Sequence, residues 1–205
     1  MPRSAVAPRA ALTFAPATPD RWADLETLFG ANGACAGCWC MWWRLARSQF
    51  QKNAGAANKR AFKRLVESGA EPGVLAYAGR IAVGWCAIEP KAAYPSLARS
   101  KTKNIDDRPA WAVTCFFINK THRGAGLSRR LLEAAVAQAR KRGAMLVEGY
   151  PLDARRRGKD GDTQKRAMDF DSFMGTADVF RRAGFVEAAR PTPGRPVMRL
   201  QLGAR

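Results

Sequence analysis

Long hydrophobic runs are missing from this 205-residue chain. No apolar stretch approaches the roughly 18 residues that a membrane-spanning helix needs, so no membrane partner is expected. The first residues, Met1 to Ala11, scatter alanines around Arg3 and Arg9 without the continuous apolar core of a secretory signal. They read as a flexible extension, residues 1–11, of a cytoplasmic protein. Histidine is almost absent, with His122 alone. Cysteines number five, an odd count that argues against a disulfide framework in such a protein. Acidic residues are also in deficit, 17 against 35 basic, for a net charge of +18. That excess raises nucleic acid as a partner, but its distribution counts against it. The segment from Pro151 to Ser172 alternates the two signs as a mixed-charge surface loop. Only Arg44 to Glu67 is one-sidedly basic, without interleaved exposed aromatics.

What remains is ordinary for a globular protein: 47% apolar and 25% charged residues. No internal repeat is visible, and residues 12–205 suffice for one α/β domain. Leu12 to Ala15 reads as a first strand. Thr18 followed by Pro19 opens a helix carrying Trp22, Leu25, Leu28 and Phe29 at helical spacing. After a Cys/Trp-rich stretch, a basic helix runs from about Asn58 to Ser68. Val74–Tyr77 and Ile81–Ile88 form a hairpin around Ala78-Gly79-Arg80, and the polar residues Lys91 to Arg108 form a loop. Trp111 to Ile118 is almost wholly apolar, as a strand covered on both faces would be. Met145–Tyr150, a short helix over Thr176–Arg182, and the strands Phe185–Ala189 and Val197–Leu202 complete the pattern.

The segment Thr121-His122-Arg123-Gly124-Ala125-Gly126 lies between that apolar strand and a helix with a Leu127, Leu131, Ala135, Ala139 stripe. Arg140 and Lys141 stand near the helix C-terminus, which Gly143 closes, as dipole and C-cap geometry favour. A glycine-rich turn opening a helix presents unpaired N–H groups to an anion, and glycines let a phosphate approach the backbone. A pyrophosphate-bearing cofactor is the ligand this suggests.

The ordered set Val83-Gly84-Trp85-Cys86, the apolar strand, Arg123-Gly124-Ala125-Gly126-Leu127, Leu131-Leu132 and Phe180-Arg181-Arg182-Ala183-Gly184-Phe185 resembles the GNAT acyltransferase family over residues 73 to 202. The resemblance implies an α/β fold: a mixed central sheet flanked by helices, with a V-shaped splay between two parallel strands, Trp111–Ile118 and Met145–Tyr150. It implies acetyl-CoA as co-substrate. Backbone groups of Phe116, Phe117 and Ile118 would pair with the pantetheine arm. The N–H groups of Arg123, Gly124, Ala125, Gly126, Leu127 and Ser128 would cradle the pyrophosphate. The expected reaction is direct attack by a primary amine, on a small molecule or peptide, upon the thioester. Two positions depart from the family: Thr121 replaces the Gln or Arg that opens the loop, and Phe180 replaces the tyrosine that protonates the leaving thiolate.

Candidates for proton transfer are Glu148 and Tyr150, which share a strand face by alternation, with Glu89 as a weaker one. Each has a bland alternative, and for Glu148 it is a paired structural carboxylate. Trp39, Trp42, Trp43 and Arg44 are expected to shape the acceptor pocket, although an aromatic cluster is more often core than site. Cys35, Cys38 and Cys40 could hold zinc, but the spacing lacks a second pair, so no metal is expected and the cysteines read as small buried hydrophobes. Cys115, on the acyl-binding strand, could carry an acyl group only with a base partner. His122, in the phosphate turn, reads as a structural or anion-facing residue rather than a general base. A CoA-binding regulatory domain without turnover and a basic nucleic-acid-associated module stand as alternatives, and a homodimer is left open.

Overall fold

The structure, a computed structural model, describes residues 11–153 and 172–203. The expected N-terminal extension, apart from Ala11, and most of the mixed-charge segment after Asp153 lie outside the described residues. Seven strands form one sheet: β1 (Leu12–Pro16), β2 (Gly73–Ala78), β3 (Ile81–Pro90), β4 (Trp111–Ile118), β5 (Leu146–Gly149), β6 (Val186–Thr192) and β7 (Arg195–Gln201), in the order β1-β2-β3-β4-β5-β7-β6. Every neighbouring pair is antiparallel except β4 and β5, which are parallel. This is the mixed α/β sheet with one parallel pair that the sequence implies.

The helices are α1 (Trp22–Phe29), α2 (Arg47–Lys52), α3 (Ala56–Glu67), α4 (Pro95–Ala98), α5 (Leu127–Lys141) and α6 (Ala177–Arg182). The apolar stripe of α5 does what its period predicts. Leu127, Leu131, Leu132, Ala135, Val136 and Ala139 are buried against Val74, Ala76, Val83, Cys86, Ile88 and Val113. Gly84 permits the close approach, since a Cβ there would stand 2.8 Å from Leu131 Cδ1. On the opposite face, Leu75, Tyr77, Trp85 and Ala87 pack under α1, α3 and Trp39. A third cluster, around Tyr94, Leu97, Ala112, Tyr150 and Met174, lies beneath the β3–β4 connection.

Three expectations need adjustment. The expected loop Lys91–Arg108 contains a turn of 3-10 helix, Lys91–Ala93, and the short α4. Two of its charged side chains, Lys91 and Asp106, turn inward to partners on the sheet, while Arg99, Lys101, Asp107 and Arg108 are exposed. The strand expected over Met145–Tyr150 is shorter at both ends, and the last two strands begin and end one to three residues from their expected limits. Among the described residues no helix is long and apolar enough to cross a membrane.

Candidate active site

The parallel contact between β4 and β5 is brief. Trp111, Ala112 and Val113 register with Val147, Glu148 and Gly149, and then β4 runs on to Ile118 paired with β3 but not with β5. A bulge marks the parting. Ala87 of β3 faces Cys115 while Ile88 faces Val113, so Thr114 is an extra residue that bends β4 and strengthens its twist. Phe180 fills the opening on the α5 side. Its ring meets Phe116 edge-on at 6.1 Å between centroids and Phe185 at 5.0 Å. It also presses on β5 at Gly149, where a Cβ would lie 2.0 Å from the ring. The splay is thus held by an apolar wedge.

The free edge of β4 faces this opening. Asn119 N–H donates to Val83 O at 3.0 Å, which fixes the alternation: Phe116 and Ile118 direct their own N–H and C=O groups away from β3, into the splay. Arg123 Nε already uses Ile118 O from that side, at 3.1 Å. The Phe117 side chain goes the other way, to within 5.7 Å of the Phe29 ring.

Beyond Ile118, Asn119 Oδ1 accepts from Thr121 N–H at 3.2 Å and from its hydroxyl at 3.0 Å, closing the turn Lys120–His122. Thr121 therefore braces the loop from within. Its hydroxyl also meets His122 Nδ1 at 2.9 Å, which keeps the sole histidine in the turn. Gly124 and Gly126 adopt left-handed φ of 78° and 75°, with open space where a Cβ would stand. Gly126 caps α5 without any side-chain hydrogen bond, and the first helical turn carries no acidic residue. The leading N–H groups of a 15-residue helix thus meet no side-chain acceptor among the described residues, beside Lys120, His122 and Arg123. Of the residues expected to bind cofactor, Phe116, Ile118 and Arg123 to Ser128 gather on this one rim, with the Leu127 side chain buried below it, whereas Phe117 turns its backbone groups to Trp85 of β3 and its side chain to the opposite face.

The proton-transfer candidates, Glu148 and Tyr150, lie in a buried ion network. Glu148 is fully buried. Its carboxylate accepts from Lys91 Nζ at 2.9 Å, Tyr150 Oη at 2.7 Å and Arg199 Nε at 2.8 Å, with a further contact from Arg199 Nη2. Arg199 passes the network on to Asp106 through bonds of 2.8 and 2.7 Å. Lys91 and Asp106 both belong to the β3–β4 connection, so the network fastens that connection onto β5 and β7. Its oxygens are engaged and it has no solvent contact, which is the geometry of a paired carboxylate. Tyr150 shares its fate: burial, and then the neighbouring Glu148 charge, push its phenol well above the usual range.

Nor do the four aromatic-segment residues build one pocket. Trp39 is buried against Trp22 and Phe29 and borders a cleft of about 360 Å³ with Glu26, Gly30, Ala31, Gly55, Ala56 and Lys59. Trp42 and Trp43 border a separate cleft of about 160 Å³ with Leu45, Arg47 and Ser96. Arg44 lies in neither: it pairs with the Glu89 carboxylate, reaches Ala93 O at 3.3 Å and stacks 4.6 Å above the Tyr94 ring. The dispersal has a local cause, because Trp39 and Cys40 take positive φ of 45° and 55° and send successive side chains in unrelated directions. Sequence reasoning missed Tyr94 and the Thr114 bulge. Neither leaves a local signal, since one sits in a polar stretch and the other depends on the register of a neighbouring strand. Among the described residues no group of three or more His, Cys, Asp or Glu side chains is placed to hold a metal ion.

A parallel pair parting at a bulge, with a free strand edge leading to a glycine turn and an uncapped helix, defines the architecture of an acyltransferase of the GNAT fold. Residues 39–155 match the acetyltransferase (GNAT) family, and the chain belongs to that family. Among solved structures it is similar to a GNAT-family acetyltransferase from Streptococcus agalactiae, with 11% identity, 96% of this chain and 99% of the other covered, and a TM-score of 0.52. It is similar also to one from Listeria monocytogenes, with 10% identity, coverage of 93% and 95%, and a TM-score of 0.51. At such identities the likeness is one of fold. A search of curated proteins found no match.

Proposed function

We propose that this chain is an acetyl-CoA-dependent N-acetyltransferase, transferring acetyl to a primary amine of a small molecule or peptide by direct attack. The observation that carries the reading is the free edge of β4 at Phe116 and Ile118, running straight to the uncapped start of α5. An extended pantetheine arm would add to that edge as a strand, and the pyrophosphate would sit on the N–H groups from Arg123 to Ser128. Arg123 supplies a charge-assisted contact. The thioester carbonyl would then lie near the bulge, where backbone N–H groups steady the developing oxyanion. The amine approaches from the opposite face. With Glu148 committed to its ion pairs, the amine's proton passes to water. Phe180 offers no proton, and none is required, since a thiolate of pKa about 8.5 is a tolerable leaving group.

Gly124→Glu tests the cofactor site. It places bulk and negative charge in the turn, while the open space around that position spares the core. Acetyl-CoA binding by calorimetry is expected to disappear. Gly124→Ala, which shares the backbone strain of about 1–2 kcal/mol without the charge, is expected to keep binding. Retained affinity in Gly124→Glu overturns the assignment. The apolar wedge at Phe180 favours a second reading, a domain that binds CoA without turnover. Release of free thiol from acetyl-CoA in the presence of an amine panel separates the two.

A further inference from the structure

The segment from Trp42 to Arg47 carries two tryptophans and two arginines, and the two cations have opposite settings. Arg44 turns inward, its side chain only 8% exposed, and the Glu89 carboxylate neutralises it. Arg47, at the start of α2, is exposed. Among the described residues its charge stands over an indole, 5.1 Å from the Trp42 ring centre, and not against a carboxylate. Trp42 meets Phe50 edge-on at 4.9 Å and Trp43 at 6.3 Å with their planes 85° apart. Two indoles near a right angle, Leu45, Ser96 and Arg47 thus line the cleft of about 160 Å³, and no carboxylate is among them.

The walls of this cleft are fixed before any ligand arrives. Ser96 N–H donates to Trp43 O at 3.1 Å and Ser96 Oγ to Leu45 O at 2.6 Å, so the backbone on both sides of Arg44 is pinned to the start of α4. Trp43 Nε1 is buried and meets no acceptor among the described residues, an exception to the rule that buried donors are paired. Position matters as well. Val113 packs under α5, so by alternation Ala112 faces the other way, and Trp43 packs there against the cluster of Tyr94, Ala112, Tyr150 and Met174. The cleft therefore stands on the face opposite α5, beside the strand pair that opens into the splay. It is smaller than the roughly 300–1,000 Å³ of a site that encloses a whole ligand, so it takes one end of a molecule. The larger cleft beside Trp39 has no such charge preference, because its Glu26 and Lys59 pair with each other.

We propose that the Trp42–Trp43 cleft holds a carboxylate of the acceptor, so that the acceptor is an amine joined through an apolar stem to a carboxylic acid. This rests on the acetyl-transfer reading and names its substrate class. A guanidinium stacked on an aromatic face keeps its N–H edge free, and that edge matches a carboxylate in a charge-assisted contact. The stem lies against the Trp42 and Trp43 rings, and Trp43 Nε1–H is the neighbouring neutral donor. An ammonium end is disfavoured in the same place, since Arg47 and Lys103 already stand over the two indoles at 5.1 and 5.3 Å. The polarity of the cleft thus orients the acceptor, acid end in the cleft and amine end toward the thioester.

The test compares 4-aminobutanoate, 5-aminopentanoate and 6-aminohexanoate with butylamine, pentylamine and hexylamine on the full-length protein. Calorimetry without acetyl-CoA gives binding, and thiol release with acetyl-CoA gives KM and kcat. At least one acid is expected to bind more tightly than its matched alkylamine by about 10- to 100-fold, the scale of one charged hydrogen-bonded contact, and the difference should appear in KM rather than kcat. Arg47→Gln is expected to erase that preference and Arg47→Lys to keep part of it. Lys52→Gln, which removes another exposed cation of α2, should leave it intact. All three positions changed are exposed, so the core is spared. Equal affinity for acid and amine across the series, an undiminished preference in Arg47→Gln, or an equal loss in Lys52→Gln each overturns the proposal. Selective binding of an acid that Arg47→Gln abolishes, without thiol release from any of the amines, upholds the carboxylate site and overturns the acetyl-transfer reading instead.

Discussion

Removing the Glu148 side chain separates its two candidate roles. In Glu148→Ala, Lys91 and Arg199, with side chains only 10% and 6% exposed, lose the carboxylate they share. Arg199 keeps Asp106, but Lys91 is left with no other ion pair among the described residues, and Tyr150 loses the acceptor of its hydroxyl. Taking one partner from a buried ion pair costs about 3–5 kcal/mol. The orphaned hydroxyl adds to this rather than offsetting it. At roughly 2–4 °C per kcal/mol for a chain of this size, the melting midpoint should fall by roughly 6–20 °C. Glu148→Gln keeps the shape and one acceptor oxygen but turns an amide donor toward a cation, so it should fall between. Differential scanning calorimetry gives the midpoints, and thiol release from acetyl-CoA, assayed well below them, gives turnover. If the carboxylate is structural, folded Glu148→Gln turns over within a few-fold of wild type. If it carries the amine's proton, the stability of Glu148→Gln barely changes and kcat drops by about 100- to 10,000-fold. That second pattern, or an unshifted midpoint in Glu148→Ala, refutes the assignment of Glu148 to the ion network.

Phe180→Tyr would supply the phenol that the family pattern leads one to miss. The far edge of the ring already faces Gly149 at distances that leave no room for a Cβ, so an added oxygen overpacks the wedge and should cost about 1–3 kcal/mol. The expected outcome is a lower urea midpoint without a gain in acetyl-transfer rate, and a faster enzyme would show that the position lacks only its acid. Gly84→Val should likewise lose about 1–3 kcal/mol, because its Cβ would meet Leu131 Cδ1 at 2.8 Å and push α5 off the sheet. Urea unfolding with an unchanged midpoint would refute that account of how α5 sits against β3.

The elements that sequence reasoning placed to the residue are those whose signal is local. Trp111 to Ile118 is almost wholly apolar and is a central strand, and the stripe at four-residue spacing from Leu127 to Ala139 is the buried face of α5. Between them the glycines had to form a turn, and the start of the helix had to expose its N–H groups. Glu148 was harder. Alternation along β5 correctly put Glu148 and Tyr150 on one face, but not what covers that face. Its cationic partners lie 57 residues before it and 51 after it in the chain, and neither separation leaves a trace in local pattern. The aromatic segment failed for another reason. Its positive-φ residues at Ala34, Ala36, Trp39 and Cys40 break any period, so adjacency in sequence from Trp39 to Arg44 did not become adjacency in space. Phe180 joins the two lessons. Compared with a family pattern it is a missing acid, yet its position is enclosed by Phe116, Phe185 and the bare backbone of Gly149. A hydroxyl there would enter an apolar enclosure, and burying one unpaired costs about as much as a lost hydrogen bond. The same apolar ring that forgoes proton donation therefore serves to keep β4 and β5 apart, and that separation is what frees the strand edge on which the cofactor reading rests.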